Sequence, residues 1–169
     1  MKKLILLFFV LASLFLKANS QEEKYIALYI YNFTKYINWP SEAKSGDFVI
    51  NIIGHESVYH ALVNLTEGKT VGNQPIRVNF YKNEELAKEG HIQFLGHWQS
   101  RSLNSLLSKT SSKSSLILTE MAGLIDKGSA INFMVVDGSI KYEIKKKHAE
   151  DRGLIVNSRL ESMAYKVHR

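Results

Sequence analysis

The chain contains no cysteine. That absence excludes disulfides, thiol nucleophiles, thiolate metal sites and an acylated N-terminal cysteine. A chain of this kind that leaves the reducing cytosol must be held together by its core alone. Proline is almost as scarce, with only Pro40 and Pro75, so no proline-rich linker divides the chain. No apolar run reaches the roughly 20 residues that a membrane-spanning helix needs. Charge is not concentrated either. Lys145-Lys146-Lys147 is the one dense basic run, which suits a solvated face and not the clustered basic surface of a nucleic-acid binder.

Sequence motifs of catalysis are missing as well. Gly68-Lys69-Thr70 looks like the tail of a phosphate-binding loop, but Val63 stands where the motif requires a glycine. The tripeptide also follows a helical pattern, whereas a phosphate loop precedes its helix. The six histidines, His55, His60, His91, His97, His148 and His168, contain no His-Glu-x-x-His pair that would place two ligands on one helical face. There is no Gly-x-Ser-x-Gly elbow to present a nucleophilic serine. The expectation is therefore a protein without catalytic, metal or cofactor residues.

What is present begins with a leader. Met1-Lys2-Lys3 is basic, Leu4 to Leu16 is apolar, and Ala18 and Ser20 place small residues at the −3 and −1 positions of a cleavage site. This pattern predicts a secretory signal peptide over residues 1–20, cut after Ser20. Removing Lys2, Lys3 and Lys17 with it lowers the formal charge from +6 to +3. The remaining Gln21–Arg169 is one domain of about 150 residues, long enough to bury most of its apolar surface.

Glu22 to Asn38 reads as a helix, because Ile26, Tyr29, Ile30, Phe33 and Ile37 recur on one face and Pro40 disfavours helical geometry at Trp39. Phe48–Gly54 is a continuous apolar run, expected as a strand buried on both sides. A short helix over Val58–Leu65 follows, then an alternating strand over Gln74–Tyr81. Asn83 with Glu84 and Glu85 is expected to start another short helix. A strand over His91–Gly96, a helix around Leu103, Leu106 and Leu107, a mobile Ser/Lys-rich turn over Ser108–Ser115 and a strand over Leu116–Thr119 come next. Ile131–Val136 and Ile140–Ile144 flank Asp137-Gly138, a strong hairpin signal. Ser158 with Glu161 reads as a capping box opening a last helix, with Leu160, Met163, Ala164 and Val167 on its buried stripe. Strands alternating with helices give an α/β single domain: a mostly parallel sheet of about six strands, helices on both faces and one antiparallel hairpin.

The first helix carries more aromatics than one stripe needs. At about 100° per residue, Tyr31 lies about 140° and Leu28 about 200° from Ile26. Both are expected either to pack under a neighbouring element or to face a protein partner, where Tyr is enriched. Arg159 lies outside the Leu160 stripe and joins them as a candidate partner contact.

This segment, YNFTKYINWP, resembles the YNFAKFVEWP-type signature that opens the YfiR-like family of exported bacterial proteins. The resemblance continues in order through FVINIIG, LTEGKTVGNQPIRV, GHIQFLG, LILTEMAGLIDKGSAINFMVVDGSIKYEI and AEDRGLIVNSRLESMAYKV. It covers essentially the whole chain after the leader. Departures are Gly90 where the family often has cysteine, Thr119-Glu120 for Ser-Asp, and Gly128-Ser129-Ala130 for Gly-Gly-Met. The missing cysteines remove the disulfides of some members. The resemblance implies a periplasmic regulatory adaptor, not an enzyme. Its partner would be a membrane signalling protein such as a diguanylate cyclase or histidine kinase, bound through its periplasmic region. In the best-understood member, release of the cyclase raises cyclic-di-GMP and favours biofilm. A homodimer and a periplasmic small-ligand-binding module are the further possibilities.

Overall fold

The computed structural model describes residues 21–110 and 114–169. The leader expected over residues 1–20 and the middle of the Ser/Lys-rich turn lie outside the described residues. Residues 21–36 form helix α1, followed by β1 (Ile37–Asn38), β2 (Phe48–Ile53), α2 (Glu56–Thr66), β3 (Thr70–Val71), β4 (Gln74–Tyr81) and β5 (Ile92–Leu95). Then come α3 (Leu103–Lys109), β6 (Leu116–Thr119), β7 (Ile131–Val136), β8 (Ser139–Ile144), α4 (Lys146–Glu150), β9 (Ile155–Val156), α5 (Ser158–Ser162) and β10 (Lys166–Val167).

One sheet of eight strands runs in the order β10-β8-β7-β6-β5-β2-β4-β3. Its centre, β4-β2-β5-β6-β7, is parallel throughout. The β7–β8 hairpin is antiparallel, and Asp137 and Gly138 form its turn with φ of 50° and 69°. The expected class holds, and the sheet exceeds the expected six strands because the two-residue strands β3 and β10 extend its edges.

Side chains alternate across the central strands and divide the core in two. One face carries Ile50, Ile52, Ile92, Phe94, Leu116, Leu118, Ile131 and Phe133 under α1 and α2. The other carries Ile53, Leu95 and Ile117 against Leu103 and Leu106 of α3. Most of the first helix's aromatics belong to the first face. Tyr29 and Phe33 form a box with Phe133 and Tyr142, with ring centroids between 5.2 and 6.1 Å apart. Such pairs add about 0.5–1.5 kcal/mol each beyond area burial. The Tyr142 hydroxyl donates to the Leu160 carbonyl at 2.6 Å, so the same box anchors α5. Trp39 closes the segment edge-on to Phe48 at 4.8 Å, and its indole N–H donates to the His91 carbonyl at 3.3 Å.

Four local expectations fail. The first helix ends at residue 36, because Ile37 and Asn38 pair antiparallel with Val156 and Ile155 as a second, two-stranded sheet. The segment after Asn83 makes only one turn, with Asn83 Oδ1 accepting the Leu86 N–H at 3.3 Å. Its carbonyls are taken by side chains from elsewhere: Lys109 Nζ donates to Glu84 O and Glu85 O, and Asn51 and Gln93 both donate to Lys88 O. The cap of α5 is Asn157, whose Oδ1 accepts the Arg159 N–H at 2.9 Å, and not Ser158. Met163 and Val167 are exposed rather than on a buried stripe, since the chain leaves the helix to add β10 beside β8.

Phe33 is 1% exposed at the centre of the aromatic box. Phe33→Ala is expected to lower unfolding free energy by about 3–5 kcal/mol. Urea denaturation checks this, and wild-type stability in the variant would remove the box from the core.

Candidate functional site

Counted along the chain, the parallel strands β2, β4, β5, β6 and β7 occupy the spatial order β4-β2-β5-β6-β7, the 2-1-3-4-5 order of doubly wound folds. In such sheets the strand order reverses between the first and third strands, and the site forms beyond their carboxyl ends. Here that position belongs to Gly54-His55 after β2 and Gly96-His97-Trp98 after β5, with Thr119-Glu120 ending β6 alongside.

Three loops meet there closely. A Cβ at Gly54, which has φ +72°, would come within 2.3 Å of Gln99 Cγ, and one at Gly96 within 2.8 Å of His55 Cβ. Only glycine allows the approach. Buried Ser100 Oγ lies 2.9 Å from the Leu95 carbonyl as donor, and accepts the Glu120 N–H at 3.0 Å. The His97 N–H donates to Glu120 Oε2 at 3.0 Å, while His97 Nδ1 donates to the Glu120 carbonyl at 3.1 Å, which fixes that tautomer. His55 Nε2 stands 3.8 Å from Glu120 Oε1.

Burial pushes the Glu120 carboxyl up to about 7. The His97 N–H opposes this, and Glu23 and Glu22 at the start of α1 reinforce it. Burial likewise holds His55 below its ordinary value, with Glu23 pulling the other way. Burial thus disfavours the charged form of both groups, which weakens the pair as an ion pair. Such a pair can exchange a proton, and it stands where the Gln99 side chain packs over Gly54 and the His55 side chain over Gly96. Among the described residues no group of three or more His, Asp or Glu side chains is arranged to hold a metal ion.

What projects from this edge is Trp98, 70% exposed, with the Arg101 guanidinium 5.3 Å from its ring centre. Trp and Arg dominate the energetics of protein interfaces. The sequence reading weighed His55 and His97 only as metal ligands and Glu120 only as a departure from the family pattern, and did not single out Trp98. Their signal was position: His55, His97 and Glu120 each directly follow an expected strand, and Trp98 comes one residue later.

The expected contact residues lie elsewhere. Leu28 is 41% exposed on the outer side of α1. Tyr31, one turn on, is partly buried against the core, its ring flanked by Lys35 Nζ at 4.4 Å and Lys69 Nζ at 4.8 Å. Arg159 is exposed on α5. Among the described residues, no hydrogen bond, ion pair or ring contact joins it to Leu28 or Tyr31. At the opposite, amino edge of the sheet a hollow of about 410 Å³ is lined by Glu42, Ser45, His91 and Ser115 among others. Both His91 nitrogens are committed there, Nδ1 to the Val49 N–H and Nε2 to the Ala43 carbonyl.

The raised Glu120 value has a consequence for stability. Below about pH 4.5 the carboxyl is protonated folded or unfolded; between there and about pH 7 the folded state binds more protons, so its stability falls as pH rises. The loss amounts to about 3 kcal/mol at most. The stability difference between Glu120→Gln and wild type should therefore grow in favour of the variant from pH 5 to pH 8, read by urea titration. A difference independent of pH would contradict the burial argument.

No curated protein matches this sequence. Of the solved structures that resemble it, an ABC domain from Streptococcus pneumonia, crystallised in complex with L-Trp, aligns with TM-score 0.51 and 9% identity over 71% of this chain. A conserved domain protein from Vibrio cholerae aligns with TM-score 0.46 and 7% identity over 72% of it. The match spans about half, 55%, of each of those chains. The first likeness shows a shared α/β fold and nothing further. A family model described as YfiR/HmsC-like matches residues 23–165. With that match across nearly all of the described domain, the chain belongs to the YfiR/HmsC-like family.

Proposed function

We propose that this protein is an exported regulatory adaptor. Its leader is removed after Ser20, and the domain from Gln21 to Arg169 works in the periplasm. It binds the periplasmic region of a membrane signalling protein, a diguanylate cyclase or histidine kinase, and favours the inactive state. With a cyclase as receptor, release of the adaptor raises cyclic-di-GMP and promotes biofilm. The observation that carries this reading is family membership over residues 23–165.

The mechanism is a difference of affinities. An adaptor represses only if it binds the inactive receptor more tightly, and a tenfold shift needs about 1.4 kcal/mol of such difference. The outer side of α1 is the proposed contact. Leu28 is exposed there while its neighbours Ile26, Ala27 and Ile30 are buried. Tyr31 is held between two lysines, which reduces the ordering cost of presenting a ring to a partner. Arg159 is a second, separate contact, and the same surfaces suit a homodimer.

Two measurements test this. The intact mass of the exported chain should correspond to a start at Gln21; a mature species that keeps Leu4 to Leu16 contradicts the leader assignment. For the contact, the receptor is identified by pulldown from solubilised membranes and titrated as its isolated periplasmic domain. Leu28→Ala and Tyr31→Ala should weaken binding roughly thirtyfold, about 2 kcal/mol, with Leu28→Ala melting as wild type does. Unchanged affinity in both variants places the contact off α1.

A further inference from the structure

Unpaired backbone groups collect at the edges of a sheet, and proteins blunt those edges with short strands, lysine, proline, bulges or covering segments. One edge of this sheet ends in the short β10 (Lys166–Val167). At the other edge β3 covers only the first part of β4, pairing Thr70 with Pro75 and Val71 with Gln74. The Ile76 N–H donates to the Lys69 carbonyl at 3.1 Å, and there the cover ends. Arg77 to Tyr81 continue as regular strand, paired with β2 on one side. On the other side no strand pairs with them among the described residues.

Ile76 shows which groups face outward. Its N–H points toward β3, and alternation along the strand turns the N–H and C=O of Val78 and Phe80 the same way. Tyr81 has the opposite phase, since its carbonyl accepts the Gly54 N–H on the β2 side at 2.8 Å. Among the described residues, no hydrogen bond reaches these outward groups of Val78 and Phe80. The usual protections are spent elsewhere. Pro75 lies where β3 already covers the strand. Arg77 is held by Asp47 at 2.8 Å, and the Lys69 ammonium turns to the Leu65 carbonyl and the Tyr31 ring.

We propose that β4 pairs antiparallel with β4 of a second copy of this chain, about a twofold axis through Asn79, so that two sheets become one. In that register the Val78 N–H donates to the Phe80 carbonyl of the second copy and the Phe80 N–H to its Val78 carbonyl, each bond repeated by the symmetry. The lengths match. An incoming strand has room only from Arg77 to Tyr81 before it meets Lys69, and β4 itself stops at Tyr81, where the chain bends. Cross-strand neighbours are compatible: Val78 meets Phe80, Arg77 meets Tyr81 and Asn79 meets Asn79, with no like charges opposed. The layer above the strand favours a second copy over a bare peptide. Tyr59 of α2 packs on Phe80 at 5.7 Å, and Val63, one turn on, is exposed. A twofold axis normal to the sheet keeps both α2 helices on the same face, so each copy supplies apolar cover for the other. This surface is separate from α1, and the pairing does not rest on the adaptor reading.

The test is amide exchange and sedimentation of the exported protein between about 10 μM and 1 mM, the range suited to a small interface. A dimer is expected to form across that range. The Val78 and Phe80 amides should slow about tenfold as it forms, while those of Arg77, Asn79 and Tyr81, bonded to β2, stay unchanged. Val78→Pro removes an outward N–H at an edge position that tolerates proline, and it should abolish the association. Val63→Lys, on the helix surface, should weaken the association about tenfold without lowering the melting temperature, which keeps the test valid if the proline variant unfolds. Leu28→Ala should leave the dimer intact. A monomer at every concentration overturns the proposal, as does a dimer in which Val78 and Phe80 exchange as fast as in the monomer. Protection of these amides that appears only when a receptor domain is added also overturns it.

Discussion

The docking of α1 on the β7–β8 hairpin is the interaction on which the rest of the structure depends. A chain with no cysteine cannot pin its first element covalently. It does so with aromatic surface. Tyr29 and Phe33 from α1 meet Phe133 and Tyr142 from the hairpin, Phe94 of β5 reaches Phe133 at 5.8 Å, and Tyr142 reaches on to α5. The segment that follows the helix is held at its far end by Trp39 against Phe48 and His91. One packed stripe thereby fixes the middle of α1 and the segment after it relative to the sheet.

That placement determines what the carboxyl edge can present. The helix starts beside the loops after β2, β5 and β6, where Glu23 acts on both His55 and Glu120. The close glycine contacts at Gly54 and Gly96 bring those loops together, with Gln99 packed on Gly54 and His55 on Gly96 at the strand-order reversal. Open space remains on the other side of the helix start, against the hairpin tip. The edge as a whole is therefore divided between a closed polar cluster, a protruding Trp98 and a walled hollow.

Much of the fold was legible in the sequence. Phe48 to Ile53 and Leu116 to Thr119 are apolar at nearly every position because both sheet faces are covered, and the turn at Asp137-Gly138 required left-handed backbone. The errors occurred where a distant partner outbid local preference. Ile37 left its helix to pair with Val156, and the residues after Asn83 gave their carbonyls to Lys109, Asn51 and Gln93. The Gly90 departure from its relatives also has a local setting: a Cβ there would stand 2.7 Å from Asn51 Nδ2, the group that holds Lys88 O. The polar cluster was not legible, because His55, His97 and Glu120 are far apart in sequence and only the strand order joins them.

Helix α1 is thus read as an integral part of the core whose outer side remains available, and not as a detachable arm. Residue-resolved amide hydrogen exchange measures this most directly. The account predicts that amides of Ile30 to Tyr36 exchange only through global unfolding, with the same free energy as Ile50 in β2 and Phe94 in β5. Exchange of α1 through a local opening several kcal/mol cheaper, with the sheet still protected, would contradict it.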